Sequence, residues 1–461
     1  MTQEDLDLLS KEELIRLILE QAKQLAQLKA DYDALKQKFD QNQKPPTTSK
    51  NSSQPPSKDQ KSNQPNGRQR HKHGPPQGHE KHERKFVEKA DQVVNLRVKN
   101  CGLCHADLSA EEGRLVKVNQ IAELPEAKAE VIEVRQYETT CPQCGQVQVK
   151  EPPEGLEMER TFGARLETTV VYYRQEQHMS YEHTQKALHD LHGVEISQGG
   201  IDGIMQRVGD KAIPAAETIE QTVRQSAVIH SDETSSRVKG DNWWEWVFCT
   251  TQAVLHVIRF NRSEDVIKTV MASFIAEVWV SDCYSAQIKA PAKHLQLCLA
   301  HQLRNLQAVV DANPTLPWPR AMQILFRYAI HLHHQRDQLS PDQFAAQVAR
   351  VERHCDRLLL RVLAPPDAKR LQRRYQKHRQ NLFIFLYRTD VEPTNNVAER
   401  ALRHSVIHRK VIGCFRSDWG AKAYAALASV IVTAELSGIH AFDAIQSLLG
   451  SPSLPIPTGG E

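Results

Sequence analysis

No apolar run in this chain of 461 residues reaches the roughly 18 residues that a membrane-spanning helix needs. The N-terminus lacks the basic-then-apolar pattern of a secretory signal. Net charge is nearly absent too, at +3, so bulk electrostatics select no class of partner. These absences predict a cytoplasmic protein with no membrane association. Its nine cysteines are then read as thiols or metal ligands before disulfides. The charge that is present is unevenly spread. Between Gln41 and Asp91 there are 11 Lys/Arg against five Asp/Glu, with four histidines. Between Val351 and Lys410 there are 14 against six. Two separated basic segments in a near-neutral chain fit a polyanionic partner, although solvated faces look the same. The length allows two to four domains and a sizeable core.

Residues 1–40 read as a helix. Leu14, Ile18, Gln21, Leu25, Leu28, Tyr32, Leu35 and Phe39 recur at alternating spacings of four and three, the seam of a coiled coil with one polar position. An amphipathic helix packed on its own protein is the alternative; the coiled coil predicts a homo-oligomer. Residues 41–89 are mostly Gln, Asn, Lys, Ser, Pro and His without apolar periodicity. Such a stretch cannot bury enough surface to offset chain entropy and is expected to be a disordered basic linker. Residues 153–222 are helical in pattern. Within them "MSYEHTQKALHDLHGVEISQGGIDGIMQRVG" predicts two helices with a turn around 194–200, either a helix-turn-helix-like DNA-binding region or an ordinary helical hairpin.

Residues 223–440 open with strands. "AVIHSD" ends on Asp232, "WWEWVFCT" and "VLHVIRF" form a hairpin, and after a helix "VWVSD" ends on Asp282. "LQLCL" is a further strand, followed by a helix, an Arg-rich helical insertion over 312–390, and "TNNVAERALRHSVIHRK", a helix capped by Asn395 or Asn396. That order predicts an α/β fold with a mixed sheet, and residues 441–461 read as a C-terminal tail. Trp243, Trp244 and Trp246 read as hairpin core and surface, with base stacking as the lesser reading.

Two sets of residues carry chemistry. "CGLC" and "CPQC" place Cys101, Cys104, Cys141 and Cys144 in residues 90–152. Four thiolates in two CxxC turns suit tetrahedral zinc, and with no open position that zinc is structural. The second set is Asp232, Asp282 and Glu399, at two strand ends and in the first turn of a helix. Taken singly, a strand-end Asp is more often a turn former. Three converging carboxylates instead hold a pair of Mg²⁺ (or Mn²⁺) ions about 3.5–4 Å apart, one activating the attacking oxygen and one stabilising the leaving oxygen of a phosphoryl transfer. His301 and Arg304, then Arg400, Arg403 and Lys410, surround them as candidate DNA-phosphate contacts, or as a solvated basic face. Cys283 is not a ligand, because magnesium prefers oxygen.

The motifs together resemble the insertion-sequence-66 transposases. The resemblance is carried by "NSSQPPSKD" after a coiled coil, the CxxC pairs, "SDET", "VSDCYSA", "CLAHQLRN" and "PTNNVAERALR...HRKVIG", in consistent order from about Leu14 to Ala444. Thr394 departs from it, standing where many members have Asp, and the tail is shorter than their C-terminal extension. The resemblance implies a ribonuclease H-like catalytic domain with an Asp-Asp-Glu triad at Asp232, Asp282 and Glu399, with Lys410 as the basic residue after the glutamate. It also implies a DNA transposase that cuts element ends, transfers them to target DNA and works with accessory transposition proteins on the bacterial nucleoid. The rival expectation is an inactive or domesticated zinc-dependent DNA-binding protein; a third is a nuclease that only hydrolyses.

Overall fold

The computed structural model describes residues 11–43, 47–52, 85–152, 158 and 161–450. Most of the expected linker and residues 451–461 lie outside them. Helix α1 spans Lys11–Gln43. Of its seam, Leu25, Leu28 and Tyr32 are between 63% and 69% exposed, so among the described residues this face has no apolar cover. The side chains of Leu14, Ile18, Leu35 and Phe39 lie outside the described residues. Within 47–52 the chain makes a tight turn in which Asn51 Oδ1 accepts from Thr48 N at 2.7 Å. Asn51 Nδ2 then donates to Asp311 at 2.9 Å, which ties this turn to the α/β domain.

Residues 85–152 have one short antiparallel hairpin, β1 (Glu138–Thr140) and β2 (Val147–Val149). Their apolar residues stay largely exposed, Leu96, Leu103 and Val131 at 93% each, so burial contributes little to holding this segment together. Helices α2 (Ala164–Gln175), α3 (Tyr181–His192) and α4 (Gln198–Gln225) follow. Ser180 and Ser197 cap α3 and α4 by accepting from His183 N and Gly200 N. Gly193, at φ 64°, ends α3 in the left-handed conformation. The expected helix pair is present, with its turn at 193–197.

The sheet is built from β3 (Val228–Val238), β4 (Asp241–Cys249), β5 (Val254–Arg259), β6 (Ala276–Ser281) and β7 (Ala292–Leu297), in the order β5-β4-β3-β6-β7. β3, β4 and β5 are antiparallel neighbours, and β6 and β7 run parallel to β3. Asp232 lies inside β3 and not at its end. The physical reason is that β4 pairs with β3 from His230 to Val238, whereas β6 pairs only with Val228–His230. Lys239 and Gly240, at φ 53° and 88°, make the two-residue turn that matches the strand twist.

Alternation along the strands defines two faces. Ile229, Trp246, Phe248, Leu255 and Trp279 join one core with α4 and with α12 (Asp418–Leu436). Gly209 permits the approach of α4 to α12, since a Cβ there would stand 2.7 Å from Ala423 Cβ. On the other face Val278, Val280 and Leu297 pack under α7 (Leu299–Ala312) and the insertion helices α8 (Pro317–His334), α9 (Pro341–Leu359) and α10 (Pro366–Lys377). There too Val247 and Cys249 meet Ala398 and Leu402 of α11 (Asn396–Ile412). A one-turn helix, α6 (Ser285–Ile288), follows Asp282, and α5 (Glu264–Met271) precedes β6. Residues 441–450, read from sequence as tail, form helix α13 (Ala441–Gly450), whose Ile445, Leu448 and Leu449 join the first core. Among the described residues no single helix is long and apolar enough to cross a membrane.

Candidate active site

Register brings the two aspartates together. His230 on β3 pairs with Val280 on β6 in parallel register. Two residues further along each chain stand Asp232 and Asp282, and the period-2 alternation puts both on the face covered by α7 and α11. Glu399, in the first turn of α11, reaches the same place from above. The three charges act on one another. Burial first, then Glu233, Asp282 and Glu399, push the Asp232 carboxyl up to about 8. Asp232 nevertheless keeps partial contact with solvent. Asp282 Oδ1 accepts from Tyr284 N at 2.8 Å, so the Cys-Tyr-Ser turn orients the carboxylate.

Two of the five basic candidates lie against Glu399. Arg304 donates to its two oxygens at 3.1 and 3.4 Å, and His301 Nδ1 stands 3.5 Å from Oε1. Burial and the Arg304 charge lower the proton affinity of His301, against the pull of Glu399 and Asp282. Arg400, Arg403 and Lys410 are exposed on α11. Arg403 stands one turn beyond Glu399 on the same side of the helix.

Three braces that the sequence reading did not assign hold this arrangement. Asn395 caps α11 by position, but its side chain makes no cap bond. It is fully buried; Nδ2 donates to Ser231 O at 2.8 Å and Oδ1 lies 3.3 Å from His230 Nδ1. Burial pulls His230 down to about 4, so its imidazole is neutral and Nδ1–H can donate. Asn395 N donates to Cys298 Sγ at 3.1 Å, and its carbonyl accepts from Glu399 N at 3.1 Å. The second brace lies on the opposite sheet face. Buried Glu233 accepts from Arg262 and from Gln287 Nε2, the latter at 2.7 Å. The Arg262 guanidinium sits 4.4 Å over Trp244 and 4.0 Å over Tyr284. The third is Glu245 on β4, which accepts from Ser405 of α11 and lies 2.9 Å from His256 Nδ1. "SDET" carried a signal for the Glu233 brace, since the residue after a face-committed Asp points to the other face; the other two had none.

The donor chemistry fits hard divalent cations. Burial first and then neighbouring carboxylates raise Asp232, and an oxygen-only set of this kind suits magnesium or manganese, although the oxygens of Asp232, Asp282 and Glu399 do not all come within 4.8 Å of one another. Cys298, His301 and Glu399 also offer S, N and O within 4.8 Å of one another. Cys298 is already committed, because its sulfur accepts backbone N–H groups and burial pushes the thiol up to about 11. The Cys101 and Cys141 turns are alike. In each the fifth residue has positive φ, 59° at His105 and 71° at Gly145, and donates its N–H to the first cysteine's carbonyl at 3.0 and 2.9 Å. N–H groups of the third and fourth residues hold the Cys101 and Cys141 thiols below the usual range. This donor set fits zinc, but the four cysteines do not form one compact group; among the described residues only Cys298, His301 and Glu399 do.

No curated protein matches the chain. Residues 159–423, more than half of its length, match the family described as Transposase IS66 family. This stretch includes the whole sheet, the two aspartates, the insertion and the helix that bears Glu399, and the chain belongs to the IS66 family of transposases.

Proposed function

We propose that this protein cuts the ends of an insertion sequence and joins them to target DNA, with Asp232, Asp282 and Glu399 as the catalytic metal ligands in a ribonuclease H-like domain. The observation that carries this reading is the register of β3 and β6, which sets Asp232 and Asp282 side by side under the helix that bears Glu399. The antiparallel triplet followed by two parallel strands supports the fold assignment. Magnesium or manganese held by the three carboxylates would supply Lewis acidity at the scissile phosphate. His301 and Arg304 hold Glu399 in place and present N–H donors to a non-bridging phosphate oxygen. Arg400, Arg403 and Lys410 line exposed α11 for the flanking phosphates. Water attacks phosphorus and the P–O3′ bond breaks, which leaves a 3′-hydroxyl. That hydroxyl then attacks a target phosphodiester in the same site; the new O3′–P bond forms as the target's own P–O3′ bond breaks and releases a target 3′-hydroxyl, with no covalent protein intermediate.

Residues 90–152, folded around zinc held by Cys101, Cys104, Cys141 and Cys144, and the α3–α4 pair recognise the element ends. Helix α1 pairs protomers so that both ends are cut together. The test is cleavage and strand transfer on element-end DNA, comparing the wild-type chain with Asp232→Asn, Asp282→Asn and Glu399→Gln. Each variant is expected to keep DNA binding and to lose more activity than the about 100-fold typical of an outer-shell change. Binding without cleavage by wild type and variants alike would leave a non-catalytic DNA-binding protein. Cleavage without strand transfer would leave a hydrolytic nuclease.

A further inference from the structure

Helix α10 (Pro366–Lys377) carries Lys369, Arg370, Arg373, Arg374 and Lys377 against one acid, Asp367, which already accepts from Asn313 Nδ2 at 2.8 Å. Among the described residues no carboxylate forms an ion pair with any of the five cations. Unpaired cations at this density on one short helix repel one another unless an anion covers them.

The rotation of α10 about its axis is fixed. Ala368, Leu371, Gln372 and Tyr375 are buried. Gln372 Nε2 donates to Leu359 O and Arg361 O at 3.1 and 2.7 Å. The fully buried Tyr375 ring stands against Trp318 and Phe326, and its hydroxyl donates at 3.4 Å to the carbonyl of Gln302, the neighbour of His301. With that face inward, Arg370, Arg373 and Lys377 are exposed and Arg374 is half-buried. Residues 370, 374 and 377 form a stripe at one-turn intervals. The stripe's helix reaches the active site, since Cys283, the residue after Asp282, packs against the core that includes Ala368, Leu371 and Tyr375 of α10.

We propose that this stripe of the insertion is a phosphate track, along which the backbone of bound DNA runs as it enters or leaves the catalytic carboxylates. It rests on the transposase reading above and adds a second cationic element to the one on Glu399's helix. Such contacts carry no sequence information; they position the duplex and add to the salt dependence of binding.

The test uses the full chain and a random-sequence duplex, with affinity followed by anisotropy across a salt series. Arg370→Gln, Arg374→Gln and Lys377→Gln are combined in one variant. Arg350→Gln, Arg353→Gln and Arg357→Gln, exposed on α9, remove equal charge in a control. Losing three phosphate contacts is expected to make the log affinity–log salt slope shallower by about 2–3 and to weaken binding at least about tenfold at 0.1 M salt. The control should stay close to wild type. Single Lys377→Gln, an exposed position, is expected to change the slope by about 1 and serves where the triple variant loses helix content by circular dichroism. Equal effects of the α10 and α9 variants, or no effect of either, overturn the track; the latter result would also leave the stripe as a site for an acidic protein. Failure of the wild-type chain to bind any duplex would instead remove the transposase reading, and the track with it.

Discussion

At the scale of single residues, Asn395 does more than its place at a helix start implies. An Asn ahead of "VAER" reads as a cap, because its side chain can satisfy one orphan N–H of the first turn. The folded chain uses that side chain across the sheet instead, on Ser231 and His230, just ahead of Asp232. Its backbone meanwhile joins Cys298 to Glu399's turn. Asn395→Ala is therefore expected to lower Mg²⁺-dependent cleavage about 10–100-fold and to raise the Mg²⁺ concentration needed for half-maximal rate, with DNA affinity unchanged. A variant with wild-type metal dependence would show that the brace does not position the site. The three carboxylates could be singled out because an apolar run's end and a helix's first turn are local features, whereas the continuation of β3 past Asp232 depends on pairing with β4. The partners of Asn395 were not, since Ser231 and Cys298 are remote in sequence.

At the scale of elements, helix α11 is gripped from two sides. Glu245 on the central sheet holds Ser405, and beyond it His404 and His408 face His178 in the α2–α3 connection, with ring centroids at 4.1 and 5.7 Å. Burial, then Arg174, His178 and His404, pull His408 down to about 3; burial and His404 pull His178 down to about 4. Glu176 lies 3.5 Å from His404, and Tyr424 stacks on His408 at 4.3 Å. The sign follows from proton linkage. Below about pH 6.5 the unfolded histidines take up protons that the folded ones refuse, so stability falls with pH from there toward the folded values. Between pH 7 and 5 His408 alone should cost on the order of 2 kcal/mol. His408→Phe, which keeps the stacking, should flatten the thermal midpoint over that range; an unchanged slope would place the titration elsewhere.

The paired CxxC turns are a second case at this scale. Each turn is preformed, but the segment around them buries almost no apolar surface, and on the zinc proposal its folding energy would come from the metal. Purified protein should contain about one zinc per chain by metal analysis. Cys141→Ser with Cys144→Ser should abolish that zinc and expose residues 90–152 to protease. Retention of zinc by the double variant would place the metal outside these cysteines.

At the scale of the whole molecule, nothing among the described residues covers the exposed apolar face of α1 at Leu25, Leu28 and Tyr32. On the proposal that α1 pairs protomers, self-association through Leu25, Leu28 and Tyr32 would cover it and bring two active sites to two DNA ends. Light scattering should give an oligomer for the wild type and a monomer for Leu25→Glu with Leu28→Glu. An oligomer that survives both changes would remove the coiled-coil reading.

The sequence by itself determined the local features. These are the 3–4 periodicity of α1, the two CxxC turns, the strand–helix order of the mixed sheet and the three carboxylates placed along it. All depend on residues within a few positions of one another, where periodicity and turn chemistry operate. Only the tertiary structure decided which carboxylates share a face and what holds them there. Those outcomes depend on register between β3 and β6, on the pairing with β4 that carries β3 past Asp232, and on polar groups whose partners lie 95 or more residues away in Arg304–Glu399, Asn395–Cys298 and Asn395–Ser231. Helix α13 followed the same rule. Its apolar face reads as a tail in isolation and becomes part of the core only because α2 and α12 are there to cover it.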